Sequence, residues 1–327
     1  MASSSARSAA ASDAALLEAP ALRRRMLVIV NPFATSVDER LRALVLAALQ
    51  SRYEVTALDT AARGHATELG RMAVAEDYDV VVTLGGDGTL NEVANGLAGS
   101  GVPLCPLPGG SQNVFAKMLG MPAEIVDATS HVLRLADDWH PRRVDLGRVN
   151  GRIFTFSAGA GLDAAVVEHV DAHPERKARW RQWYYMQSAA LVFTRRYAVR
   201  APRLEVEGPD GPISGVTVLV QNGDPYTYAG ERPVRVCRDV ALDSGTLSAA
   251  VLARTSPLDM PAIAPRLLLD RFEVTDHRHV RSLERLRELR IRSTGDHAIG
   301  VQVDGDFIGA YQDIRFEVLP GALCVVA

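Results

Sequence analysis

The stretch DVVVTLGGDGTLNEVANGL, Asp79 to Leu97, decides the fold. It opens with a short apolar run rich in β-branched side chains, the pattern of a strand buried on both faces. Gly85-Gly86-Asp87-Gly88 interrupts that run. Leu90, Val93, Ala94 and Leu97 then recur at i, i+3, i+4 and i+7, one stripe of an α-helix. A strand, a glycine turn and a helix make the core of a βα unit, and the same alternation continues on both sides.

Upstream, Met26 to Val30 reads as a buried strand that Asn31-Pro32 ends. Asp38 to Gln50 carries the helical stripe Leu41, Leu44, Val45 and Leu49. Tyr53 to Leu58 is a second strand, and His65 to Ala75 a second helix with Leu69, Met72 and Ala73 on one face. Downstream, Gly99 and Gly101 close the helix after the glycine turn. Val102 to Leu107 is a further strand whose Pro103 and Pro106 suit an edge or a strand end. Pro108-Gly109-Gly110-Ser111 leads into a helix through Leu119, with Ser111 as N-cap and Gly120 and Pro122 as stops. Strands alternating with helices imply an α/β, doubly wound, mostly parallel sheet.

From about Asp145 short strands dominate: Arg152 to Phe156, Arg203 to Glu207, Gly215 to Gln221, Leu247 to Leu252, Leu289 to Ser293 and Val301 to Val303. Turn residues such as Pro209-Asp210-Gly211 and Asp304-Gly305 separate them, as in an antiparallel β domain. One long helix, Pro174 to Tyr197, interrupts it. The Ala- and Ser-rich first 21 residues read as a disordered tail without the basic start and apolar stretch of a secretory signal.

Composition narrows the function. A net charge of −3 gives no global basic field for nucleic acid. Cys105, Cys237 and Cys324 are too few and too far apart for a disulfide framework or a zinc site, which suits a reducing cytoplasm. No apolar run reaches the roughly 18 residues of a membrane-spanning helix. GxxxxGK[ST], the protein-kinase signatures and GxSxG are all missing. His140, His169, His173, His277, His279 and His297 share no metal-ligand spacing.

The chemistry gathers at the glycine turns. Glycine lets the backbone approach a bulky anion, and the helix that follows presents its positive end to the same place. Asp87 adds a carboxylate among these phosphate-seeking groups, which is sensible where Mg²⁺ lies between them. Pro108 to Ser111 offers a second wall of donors, and Asn31 to Thr35 reaches the same rim of the sheet. Far downstream, Val303-Asp304-Gly305-Asp306 puts two acids around a glycine. Asp-Gly is common hairpin chemistry, but transfer of a phosphoryl group to an alcohol also needs a carboxylate to take the hydroxyl proton. Either Asp304 or Asp306 can serve if the β domain folds back over the turns.

Together these segments resemble the diacylglycerol kinase catalytic family, which includes bacterial diacylglycerol kinases and sphingosine kinases. Asn31-Pro32 matches its first nucleotide motif, Thr60 with Gly64-His65-Ala66 its TxxxGHA segment, and GGDGTLNEVANGL its central signature. PGGSQNVFAKMLGMP is similar to PxGTxNDFAxxLGIP, LDSGTL to LDDGxL, and VDGD to VDGE, while VDLGRVNGRIFTFSAGAGLDAAVV looks like the opening of the second domain. The resemblance implies an ATP-dependent kinase acting on a lipid hydroxyl, with an α/β nucleotide domain, residues 22–145 plus about 316–327, and a β-sandwich lipid domain, residues 146–315. It places Asn31, Thr60, Gly86, Asp87, Gly88, Thr89, Glu92 and Ser111 around ATP, with Pro32, Thr35, Gly85, Asn91, Gly110 and Asn113 as neighbours in the same loops. Asp306 stands at the family's proton acceptor, a Glu, with Asp304 beside it. Asp87 and Asp304 would meet the Mg²⁺ of the nucleotide, and Asp243 a structural Mg²⁺. Three departures stand out: Val114 for the Asp of NDF, Ser244 for an acid of the structural metal site, and Asp306 for Glu.

The expected partners are a lipid at the membrane surface and a second copy of the chain, since relatives dimerise; nucleic acid is not among them. The expected location is the cytoplasm, with transient docking at a membrane. Basic and aromatic residues at Arg176, Lys177, Arg179, Trp180, Arg181, Trp183, Tyr184, Tyr185, Arg195 and Arg196 suit an interfacial helix. Two other functions compete. NAD kinases share GGDGT but also carry an STPTGSTAY-like stretch that is missing here. A sensor that binds without turnover is the reading prompted by Val114 and Ser244.

Overall fold

The computed structural model describes residues 23–34, 37–136, 139–173, 184–197, 203–208, 211–238, 240–254, 266 and 274–327. The N-terminal tail, Thr35 and the basic half of the long helix, 174–183, lie outside the described residues. Residues 184–192 are helical and run into a π-helical turn, Phe193–Tyr197.

The first half alternates as its sequence pattern requires: β1 (Arg25–Val30), α1 (Glu39–Gln50), β2 (Glu54–Asp59), α2 (His65–Ala75), β3 (Val80–Gly85), α3 (Asp87–Leu97), β4 (Leu104–Pro108), α4 (Val114–Met118) and α5 (Ile125–Leu135). The second half contains β5 (Arg142–Val149), β6 (Arg152–Phe154), β7 (Ser157–Gly161), α6 (Leu162–Asp171), β8 (Leu204–Gly208), β9 (Gly211–Gly215), β10 (Thr217–Gln221), β11 (Thr227–Ala229), β12 (Arg232–Val234), β13 (Leu247–Leu252), β14 (Val280–Leu286), β15 (Glu288–Ser293), β16 (Ile299–Val303), β17 (Asp306–Tyr311) and β18 (Asp313–Val325).

The strands β2-β1-β3-β4 are parallel, and their order continues through β18 to β15, β8 and β9, with β5 also on β18. The antiparallel sheet β14-β13-β10-β7-β16-β17 packs against the far part of this first sheet through Val149, Phe154, Leu204, Val218, Ile291, Val301 and Phe316. The last strand therefore joins both halves: Phe316 pairs with Val149, and Val325 with Leu104. Each fully buried Leu, Ile, Val or Phe in these layers contributes about 1.5–3 kcal/mol relative to exposure.

The prolines of β4 do not put it at an edge. β4 lies between β3 and β18. Leu104 faces β18, its carbonyl accepting from Val326 N–H at 3.0 Å, and pairing with β18 stops there. Strand alternation turns Pro106 and Pro108 to that same unpaired side, where a missing N–H costs no ladder bond. The helix after PGGS also starts later than expected. Its N-cap is Asn113, not Ser111, and only Val114–Met118 are helical. The charged run Arg278 to Arg292 folds as β14 and most of β15, strands of different sheets, with Leu283, Leu289 and Ile291 buried and most of its Arg and Glu side chains exposed. Cys105, Cys237 and Cys324 are buried and free.

One buried carboxylate holds the halves in place. Asp304 Oδ2 accepts from Thr155 N–H (2.7 Å), the Thr155 hydroxyl (2.8 Å) and Asn91 Nδ2 of α3 (2.7 Å). Its Oδ1 accepts from Phe156 N–H and Ser157 N–H, both at 3.1 Å. Asp304→Ala should strand several of these donors and cost about 3 kcal/mol or more. Thr155→Val, losing one hydroxyl donor, should cost only about 1 kcal/mol. Urea unfolding measures both, and equal losses would argue against the carboxylate as the hub.

Candidate active site

The carboxyl ends of β1 to β4 line one rim, as parallel strands dictate. Asn31 leaves β1 there, its N–H donating to Leu84 O at 3.0 Å, and Thr60 leaves β2, donating to Val30 O at 2.8 Å. Gly86 leaves β3 and Gly109 leaves β4. The two glycine loops touch backbone to backbone: Gly109 N–H donates to Gly85 O at 2.9 Å. A methyl group on Gly110 would stand 2.5 Å from Gly86 Cα, and one on Gly109 2.9 Å from Gly85 N. Glycine is needed here because no side chain fits between the loops. Asn113, at φ +50°, clamps the second loop by accepting from Gly110 N–H and donating to Gly110 O, both at 2.9 Å.

α3 begins on this platform with no side-chain cap at Gly86. Its first N–H groups lack intrahelical acceptors and face the rim with the positive end of the helix dipole. Asp87 is its first residue, with Oδ1 accepting from Phe115 N–H at 3.2 Å. The residue keeps some solvent contact, but surrounding protein atoms desolvate the carboxylate. That desolvation, opposed by the Val114 and Phe115 amides, pushes its pKa up to about 6. Negative Asp304 adds to the rise and Lys117 opposes it. A carboxylate so reluctant to ionise gains from an arriving cation, so Asp87 fits a nucleotide-bound Mg²⁺, which would neutralise phosphate charge.

The rest of α3 works outward. Thr89 Oγ1 accepts from Asn31 Nδ2 at 3.1 Å, fixing the β1 loop. Asn91 is buried, holds Asp304, donates to Ile153 O at 2.9 Å and accepts from Arg152 Nη2 at 2.8 Å. Glu92 accepts from Gly64 N–H (2.8 Å) and Ala66 N–H (3.2 Å), capping α2. Asn91 and Glu92 therefore spend their polar atoms on the scaffold. Ser111 is exposed at the second loop, Pro32 is exposed beside Asn31, and Thr35 lies outside the described residues.

The second sheet brings in VDGD. Asp304 and Gly305 form a two-residue hairpin turn with φ +47° and +85°, the type I′ pattern, and Val303 pairs with Asp306 across it. Asp304 faces inward to its five donors. Burial raises its pKa, while the amides of Thr155, Phe156 and Ser157 and the Thr155 hydroxyl pull it back down. Asp306 faces the other way. Its Oδ2 would lie 3.4 Å from a methyl group on Gly88, so the acid from the far sheet sits over the glycine turn. Arg63 Nη2 lies 3.4 Å from the same oxygen.

Among the described residues, no acidic neighbours group with Asp243 around a metal position. Its side chain is exposed, and the Ser244 hydroxyl donates to Thr246 O at 3.1 Å. The buried Asp145 carboxylate already accepts from Gly245 and Gly321 N–H. Among the described residues no three His, Cys, Asp or Glu side chains group around a metal position. Sequence reasoning did not single out Arg63, whose place over the cleft depends on two segments more than two hundred residues apart.

Residues 25–149 match the diacylglycerol kinase catalytic domain, and residues 156–327 match the YegS C-terminal NAD kinase beta sandwich-like domain. The chain carries a diacylglycerol kinase catalytic domain. This lipid kinase is 28% identical over 294 residues to a diacylglycerol kinase of Staphylococcus aureus (strain bovine RF122 / ET3-1), with 88% of each chain covered. Its identity to a diacylglycerol kinase of Staphylococcus epidermidis (strain ATCC 12228 / FDA PCI 1200) is also 28%, over 88% of this chain and 87% of that one. A diacylglycerol kinase of Bacillus anthracis str. Sterne shares the fold, with TM-score 0.71 at 24% identity over 93% of this chain and 97% of that one.

Asp87 holds its proton more tightly in the folded kinase than in the unfolded chain. Its contribution to stability is therefore greatest at about pH 4 and below, and is lost as pH rises through about 6. Asp87→Asn should raise the unfolding temperature of the nucleotide-free kinase at about pH 7.5 and by progressively less toward about pH 4. Full burial would be worth roughly 3 kcal/mol, and a carboxylate in partial contact with solvent about half of that. A gap unchanged across this range would contradict a desolvated carboxylate.

Proposed function

We propose that this kinase transfers the γ-phosphoryl group of ATP to the hydroxyl of a lipid, of diacylglycerol or sphingoid type, at a membrane surface. The observation that carries the reading is Asp306 Oδ2 over Gly88, an acid of one half facing the phosphate-seeking turn of the other. The triphosphate would lie along Gly85-Gly86-Asp87-Gly88 and Gly109-Gly110, bound by backbone N–H groups, with Asn31, Pro32, Thr35, Thr60, Thr89, Ser111 and Asn113 shaping the same rim. Mg²⁺ would be held by Asp87 and supply charge neutralisation.

Asp306, rather than Asp304, then takes the hydroxyl proton. Asp304 has its oxygens filled by five donors and has none left for substrate. The work left to the protein is positioning and charge stabilisation. A shorter acid than Glu demands that the lipid hydroxyl come closer to β17. No helix among the described residues is long and apolar enough to cross a membrane, so docking would be peripheral. The outward Arg195 and Arg196 at the end of the 184–197 segment suit an anionic surface.

The test is a lipid-panel assay with labelled ATP and the purified full chain. Wild type should label a lipid hydroxyl. Asp306→Asn should lower kcat by a factor on the order of 10²–10⁴, the range for loss of a positioned base. Asp87→Asn should abolish Mg²⁺-dependent turnover. NADP formed from NAD and ATP would instead favour the second activity that the sandwich domain's family description suggests, and nucleotide binding with no lipid labelled would indicate a sensor.

A further inference from the structure

Arg63 has a role that neither the loops nor the hairpin explain. It lies between β2 and α2 on a stretch held at both sides: Ala61 N–H donates to His65 Nδ1 at 2.9 Å, and Gly64 N–H to Glu92 Oε1 at 2.8 Å. The side chain itself is 68% exposed and crosses the cleft to Asp306 Oδ2 at 3.4 Å. Asp306 is 30% exposed and stands over Gly88. An exposed pair of this length contributes little stability, typically about 1 kcal/mol or less. Its place is therefore better explained by what else could occupy the cleft.

A triphosphate on the glycine loops would bring to this spot more negative charge than one carboxylate carries. It would also bring oxygens spaced for the guanidinium fork. We propose that Arg63 is the ligand of the terminal phosphate, and that in the nucleotide-free kinase it covers Asp306. This rests on the reading of the loops as an ATP site. One guanidinium on a pinned backbone exchanges partners by side-chain rotation alone. When ATP arrives, Arg63 turns to the γ-phosphoryl oxygens and Asp306 is left open to the lipid hydroxyl. The hydroxyl proton then passes to the Asp306 carboxylate. The lipid oxygen forms its bond to the γ-phosphorus while the bond from that phosphorus to the β–γ bridging oxygen breaks, and ADP leaves. Arg63 stays on the transferring group, where charge is spread over its equatorial oxygens. Without nucleotide, the acid stays occupied.

The test compares ADP with a non-hydrolysable ATP analogue, both with Mg²⁺, by calorimetric titration of the full chain. Wild type should bind the analogue. Arg63→Met should weaken the analogue about tenfold to a hundredfold, as for a charge-assisted hydrogen bond, and leave ADP within about twofold. Arg63→Lys should recover part of the loss, since it keeps the charge without the fork. Asp306→Asn, which removes the competing carboxylate, should tighten the analogue when Arg63 is present and not in the Arg63→Met background. Equal weakening of both nucleotides, or no weakening of either, overturns the assignment while leaving the ATP site standing. A wild-type chain that binds neither nucleotide overturns the ATP site and this inference with it.

Discussion

The arrangement depends on one buried carboxylate and its five donors. Asp304 is the point at which the second sheet, the β6–β7 connection and helix α3 meet. Burying an acid is costly unless every lone pair is used, and here three backbone amides, a hydroxyl and a side-chain amide use them. The consequence is geometric. With Asp304 pinned, the type I′ turn at Asp304-Gly305 has one orientation, and that orientation points Asp306 at Gly88. The turn at VDGD and the acid over Gly88 are therefore one structure seen at two residues: Asp304 builds and Asp306 faces the cleft.

A similar division runs along α3. Its first residue, Asp87, stays in the cleft, and Thr89, Asn91 and Glu92 are committed to the β1 loop, the second half and α2 in turn. Residues that resemble a family motif thus split between the cleft and the scaffold. Nothing in a linear pattern separates them, because the partners of Asn91 and Glu92 come from Ile153, Asp304, Gly64 and Ala66.

Much of the parallel sheet was legible because buried strands and amphipathic helices leave distinct periods in sequence. The glycine turns were legible for the same kind of reason: Gly109 and Gly110 are required by backbone contact, so their residue type carries the geometry. Elements whose form is set by distant neighbours were harder. β7, SAGAG, is small and featureless, and its strand form follows from β10 and β16 on either side. β18 crosses from one half to the other with a bulge between Leu319 and Leu323, where Pro320-Gly321 disguises a single strand. Ser111 looked like a cap by residue type, but the clamp of Asn113 on Gly110 delays the helix past it.

The Asn91–Asp304 bond also has a mechanical meaning. α3 is both a wall of the glycine rim and an anchor of the opposite half, so one helix carries both sides of the cleft. They cannot draw apart without breaking buried polar bonds, and β18 ties both halves into one sheet. Two residues beyond Asp304, the cleft is also spanned by the exposed pair of Arg63 and Asp306. Breaking that outer pair is cheap and breaking the buried bonds is not, so the mouth of the cleft can loosen at its side chains while its backbone walls keep their spacing.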